Sequence, residues 1–196
     1  MKDVIIVSGG NIQRDFALDF LKKNKTEKVD LIAADRGVEF FKGTDWQPEV
    51  AVGDFDSLSA EGALYLQGLR ETEIMRLKPE KDDSDTQSAV NFAIDRGAER
   101  ITILGATGNR IDHLMANFGL LVHGRNRGAD IILVDELFRI TANVLSFKEA
   151  CLIGEIRLKI PLKHQVIFQR ILQHQTMLMS VFRNMTHPGG IAFADG

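Results

Sequence analysis

Val50–Leu58 reads VAVGDFDSL. A short apolar run stops at Gly53, and two carboxylates, Asp54 and Asp56, follow with Ser57 behind them. A run with no polar side suits a strand buried on both faces, the mark of a parallel sheet covered by helices. The two aspartates then stand at the carboxyl end of that strand. Like charges so close cost stability unless a cation or a proton joins them.

The same punctuation recurs along the chain. VIIV (Val4–Val7) ends in Ser8-Gly9-Gly10, and LIAA (Leu31–Ala34) ends in Asp35-Arg36-Gly37. ITIL (Ile101–Leu104) ends in Gly105-Ala106-Thr107-Gly108, and IILV (Ile131–Val134) ends in Asp135. Helical patterns lie between them. Phe16, Phe20 and Leu21 share one helical face; Ala89, Phe92, Ala93 and Ile94 lie on a second segment that Gly97 closes as a C-cap. Strands alternating with helices predict an α/β fold over 1–135, a mostly parallel sheet flanked by helices. Such sheets bind ligands beyond the carboxyl ends of their strands. Asp35, Asp54, Asp56 and the Gly105–Arg110 loop are therefore expected on one edge. Beyond Asp135 the helical period fades into short apolar stretches, so 136–196 is expected to be a small β-rich C-terminal domain. HQVIFQRILQHQTMLM, within it, fits a helical reading as well.

The chain has 196 residues, 44% of them hydrophobic, enough for one good-sized core or one domain with a smaller companion. Its net charge is −3 and its charges are mixed in sign, which gives no footprint for nucleic acid. Cys151 is the single cysteine, so no intrachain disulfide forms and a reducing compartment is expected. The apolar run in MKDVIIVSGG is too short for a signal-peptide core or a membrane span. A cytoplasmic protein without membrane partners is the expectation.

Three clusters carry candidate chemistry. Asp54 and Asp56 suit Mg²⁺, which takes one or two carboxylates and substrate phosphates; alternatively, one of them caps a helix starting near Ser57. Lys81-Asp82-Asp83-Ser84-Asp85-Thr86 precedes the second helical pattern, with Ser84-x-x-Gln87 as a capping box and Asp85 in the first turn. Acids there are favoured by the helix dipole alone, yet a lysine among carboxylates also suits a polyphosphate–metal site. The third cluster runs Gly105-Ala106-Thr107-Gly108-Asn109-Arg110-Ile111-Asp112-His113, with Asn117 beyond. Glycines after a strand let backbone N–H groups approach an anion, and Arg110 can fork onto a phosphate. The bland alternative is a tight turn, with His113 as a structural hydrogen-bonding residue.

Taken in order and spacing, Asp35-Arg36-Gly37, GDFDS, KDDSDT and G-A-T-G-N-R-I-D-H-L-x-A-N resemble the thiamine pyrophosphokinase family over roughly Val4 to Val134. The resemblance implies transfer of the diphosphate of ATP to the hydroxyl of thiamine, giving thiamine diphosphate and AMP. It implies Mg²⁺ as cofactor, ATP as co-substrate, a C-terminal β-sandwich and a homodimer that completes the thiamine pocket. By resemblance Asp54, Asp56, Asp82 and Asp85 are the metal and substrate carboxylates, and Arg110 joins them in catalysis. Gly9, Gly10, Asp35, Arg36, Gly37, Lys81, Thr107, Gly108, Asp112, His113 and Asn117 fall around nucleotide and thiamine. Asp85 or Asp56 would take the hydroxyl proton.

The C-terminal part departs from the family. No clean copy of its late Gly-x-Ser-Asn-type segment is found; Asn184 is the nearest candidate, and the region reads as atypical and truncated. Three rivals stand beside the family reading. Asp54 and Asp56 mimic the nucleophile and general acid of a haloacid-dehalogenase-like phosphatase, although that motif normally follows the first strand. A nucleotide-binding module without transferase activity is the second. The third is a pyrophosphokinase for another heteroaromatic alcohol, such as a hydroxymethylpterin.

Overall fold

The computed structural model describes residues 2–78, 84–107, 111–137, 139–143 and 155–158. All of them belong to one unit, Met1–Lys159. The rest of the expected C-terminal domain, including Asn184, lies outside the described residues.

Every apolar run singled out above is a strand. VIIV lies in β1 (Lys2–Val7), LIAA in β2 (Val29–Ala34), and VAV in β3 (Val50–Gly53). After β4 (Glu73–Arg76) come β5 (Ala98–Leu104) with ITIL and β6 (Asp130–Val134) with IILV. Two further strands, β7 (Arg139–Asn143) and β8 (Glu155–Leu158), follow. They form one eight-stranded sheet in the order β4-β3-β2-β1-β5-β6-β7-β8. The strands from β4 across to β6 pair in parallel, and β7 and β8 add antiparallel. β4 was not foreseen. EIMR lies at the sheet edge and is mostly exposed, so it carries no apolar run.

The helices cover both faces. Α-helices α1 (Arg14–Asn24) and α2 (Ala60–Gly68) bury Ala17, Leu21 and Leu66 against Ile5, Val7, Leu31 and Ala33. On the other face, α3 (Asp85–Asp95) and α4 (Ile111–Asn126) bury Ala89, Val90, Leu120 and Leu121 against Val4, Ile6, Ile32 and Ile103. Successive residues of β1 thus point to opposite cores, as the strand period demands. The caps follow the sequence. Ser84 accepts from the Gln87 N–H at 3.2 Å, and Gly97, just past the end of α3, has φ +83°.

Strand order reverses between β1 and β5, because β2, β3 and β4 lie to one side and β6 to the other. In an open α/β sheet this switch point splays the loops apart and leaves a crevice at the carboxyl edge. A 3₁₀ helix, Asp35–Phe41, turns off the end of β2 beside it.

Candidate active site

A cleft of about 790 Å³ opens at this switch point. Its walls come from the loop after β1 (Ser8, Gly9, Gly10, Asn11), the end of β2 (Asp35, Arg36), and the loop after β5 (Gly105, Ala106). The start of α3 (Ser84, Asp85, Thr86) and one side of α4 (His113, Asn117) complete it. Segments far apart in sequence meet here because each follows a strand of one parallel sheet.

Asp35 lines the cleft, and Asp35, Asp54 and Asp56 each offer a carboxylate oxygen, these atoms lying within 4.8 Å of one another. Three local features bring them together. Gly53, the last residue of β3, passes so close to β2 that a Cβ would stand 2.9 Å from the Asp35 Cα. Asp35 and Phe55 both adopt left-handed backbone, at φ +47° and +64°. Non-glycine residues there cost about 1–3 kcal/mol each and persist where the surroundings enforce them, commonly at functional sites. Phe55 is held by burial and by the Arg76 guanidinium 5.5 Å from its ring centroid. With that residue turned inward, both flanking aspartates are left toward solvent. The turn is closed by the Asp56 N–H, which donates to Asp54 Oδ1 at 3.2 Å.

The electrostatics record the crowding. Asp56 is held above the ordinary carboxylate value, first by the Asp54 charge and then by desolvation, with Asp35 and Asp85 adding to it. Asp35 Oδ1 is buried without a hydrogen-bond partner among the described residues. A buried orphan acceptor beside two carboxylates fits a hard divalent cation, which satisfies oxygen lone pairs and cancels their repulsion.

Neither Asp54 nor Asp56 caps α2. Ser59 does, accepting from the Gly62 N–H at 3.0 Å. The cap reading of GDFDS is thereby set aside. Ser59→Ala is expected to cost about 1 kcal/mol of stability, read as a lower urea midpoint, with the cation site left intact.

The remaining candidates are placed as follows. Asp85 opens α3 and lines the cleft, outside the three-carboxylate group. Gly9 and Gly10 line it, as do Arg36 and the exposed His113. Gly37 is buried one residue beyond Arg36. The Thr107 hydroxyl donates to the Asp135 carboxylate, and Asp112 lies in the first turn of α4, exposed. Asn117 is buried, and its Nδ2 donates to the Ala106 carbonyl at 2.8 Å, tying α4 to the loop after β5. Asn117→Ala removes that bond and is expected to lose about 1–3 kcal/mol by denaturant titration. Lys81, Asp82, Gly108 and Arg110 lie outside the described residues.

Sequence reasoning did not foresee the hydroxyls. Ser8 and Thr86 meet at 2.7 Å in the cleft wall, pinning the start of α3 to the end of β1. Ser57 donates to Asp35 Oδ2 at 2.6 Å. No spacing announces such pairs, because the partners are brought together only by the sheet order. Among the described residues no helix is long and apolar enough to cross a membrane.

Comparison with known proteins points to one family. A family profile described as "Thiamin pyrophosphokinase, catalytic domain" matches residues 21–133. A thiamine pyrophosphokinase of Bacillus subtilis (strain 168) is 30% identical over 138 residues, covering 69% of this chain and 62% of that protein. Among solved structures, the Bacillus subtilis thiamine pyrophosphokinase superposes with TM-score 0.63 at 27% identity, over 72% of this chain and 64% of that one. A thiamin pyrophosphokinase family protein from Enterococcus faecalis gives TM-score 0.57 at 37% identity, over 72% and 65%. The chain thus spans a little under two thirds of the length of these relatives.

Proposed function

The chain belongs to the thiamin pyrophosphokinase family, and from that premise we propose that it transfers the diphosphate of ATP to the hydroxyl of thiamine, releasing AMP. The observation that carries the proposal is the gathering of Asp35, Asp54 and Asp56 within 4.8 Å of one another, with Asp35 lining the switch-point cleft. These are the residues that would hold Mg²⁺, and the bound ion supplies neutralising charge to the phosphate oxygens.

The protein's own groups do the rest. The loops after β1 and β5 and the start of α3 line the space for a triphosphate, and a helix N-terminus favours an anion there. Lys81 and Arg110 add positive charge on the phosphates. In the reaction the alcohol oxygen bonds to the β-phosphorus in line with the departing bridge oxygen, which leaves on AMP. Positioning is most of the task. Asp85 lines the cleft, and it or Asp56 takes the hydroxyl proton. On the same family reading the protein is a cytoplasmic homodimer, and thiamine binding and dimerisation are assigned to 136–196.

Two features weigh against the phosphatase rival. GDFDS follows the third strand rather than the first, and a third carboxylate, Asp35, shares its site. The test is incubation with ATP, Mg²⁺ and a panel of primary alcohols. AMP formed in step with thiamine diphosphate is the expected result. Free phosphate without AMP would favour the phosphatase, nucleotide binding without turnover the module, and AMP release with a pterin alcohol alone the other acceptor.

A further inference from the structure

Asp35 presents its two carboxylate oxygens very differently. Oδ2 accepts the Ser57 hydroxyl at 2.6 Å. Oδ1 is buried and has no hydrogen-bond partner among the described residues. The residue is already constrained at its backbone: it is left-handed at φ +47°, and Gly53 packs against its Cα. Ser57 follows directly on Asp56, so the hydroxyl that fixes Asp35 is carried by the same turn that carries the other two acids. A carboxylate is free to rotate about its last bond unless one oxygen is fixed. A hydrogen bond from an outer residue is a standard way to fix a metal-ligating carboxylate, and its loss typically costs 10–100-fold in metal affinity or activity.

From these contacts we propose that Ser57 is a positioning residue. Its hydroxyl occupies Oδ2 of Asp35 and so reserves Oδ1 for the divalent cation shared with Asp54 and Asp56. The inference rests on the functional reading above and extends it to Ser57, which lines the cleft and acts on the cation through Asp35. In this arrangement GDFDS is a unit of two kinds of group. Asp54 and Asp56 supply oxygens directly, and Ser57 recruits a third oxygen donor from the end of the neighbouring strand.

The test is Mn²⁺ binding to the full chain, followed by the EPR signal of the free ion, in wild type, Ser57→Ala, Ser57→Thr, Asp35→Asn and the double variant Ser57→Ala/Asp35→Asn. Thermal melts without metal accompany each. Ser57→Ala is expected to weaken Mn²⁺ binding by about 10–100-fold while melting close to wild type, since the serine is exposed. Ser57→Thr keeps the hydroxyl and restores affinity to near wild type. In the Asp35→Asn background the serine substitution has little further effect, because the two act through one oxygen. The Mg²⁺ concentration needed for half-maximal AMP release rises in Ser57→Ala more than the rate at saturating Mg²⁺ falls. If Ser57→Ala binds Mn²⁺ like wild type, or if its effect simply multiplies that of Asp35→Asn, the positioning role is wrong while the proposed reaction stands. If wild type binds no Mn²⁺ and Asp54→Asn leaves AMP release unchanged, both fail together.

Discussion

Asp54→Asn is expected to lower thiamine-dependent AMP release by about 10²–10³-fold while leaving the metal-free protein at least as stable as wild type. The two halves have one cause. Asp54 shares a site with Asp35 and Asp56, and in the absence of a cation their charges repel. Asparagine keeps an Oδ1 to accept the Asp56 N–H, so the turn persists, but the negative charge is gone. The largest influence raising Asp56 above its ordinary value is the Asp54 charge. A carboxylate raised in the folded state destabilises it at pH above the raised value. That penalty fades as pH falls and vanishes below the ordinary carboxylate value. The melting advantage of Asp54→Asn is therefore expected at neutral pH and should shrink on acidification through that window. Adding Mg²⁺ should stabilise wild type and leave the variant nearly unmoved. A variant that melts well below wild type yet turns over ATP would assign Asp54 to structure instead.

Gly37→Ala is expected to have the largest effect on folding. Gly37 is buried in the 3₁₀ helix, and a Cβ there would stand 2.0 Å from the Val7 carbonyl oxygen and 2.7 Å from its carbon. Neither side can yield cheaply. Val7 belongs to the central strand, hydrogen-bonded to β2 on one side and β5 on the other, and the helix is anchored by buried Val38 and Phe41. Overpacking a core costs about 1–3 kcal/mol where neighbours can shift; here the clash is with backbone, so a loss at or beyond the top of that range is expected. Against a total stability of about 5–15 kcal/mol, this shows as a large fall in urea midpoint or as insoluble protein. Gly119→Ala, in α4 with open space around its Cβ position, is the control and should be neutral or slightly stabilising. Equal midpoints for the two variants would show that the 3₁₀ helix does not pack as described.

The strand framework was legible because parallel strands buried on both faces write continuous apolar runs, and each run here ends in serine, glycine or a charge. VIIV, LIAA, VAV, ITIL and IILV are all strands for that reason. β4 escaped because an exposed edge strand such as EIMR has no such run. The edge on which the acids gather followed from topology alone, since every strand from β1 to β6 points the same way. What the sequence could not supply was the partner of each acid. Asp35 is nineteen residues before Asp54, and their approach depends on β2 lying beside β3 and on Gly53 having no side chain. The inward turn of Phe55 was equally hidden, because left-handed backbone at a phenylalanine is not something residue preference suggests.

Crystals grown with Mn²⁺ and a non-hydrolysable ATP analogue, measured for anomalous scattering, give the most direct test of whether these acids serve one cation. A peak within bonding distance of carboxylate oxygens from Asp35, Asp54 and Asp56, with phosphate oxygens in the same coordination shell, is the expected result. A triphosphate bound away from the switch-point cleft, or a metal peak touching none of the three aspartates, would contradict it.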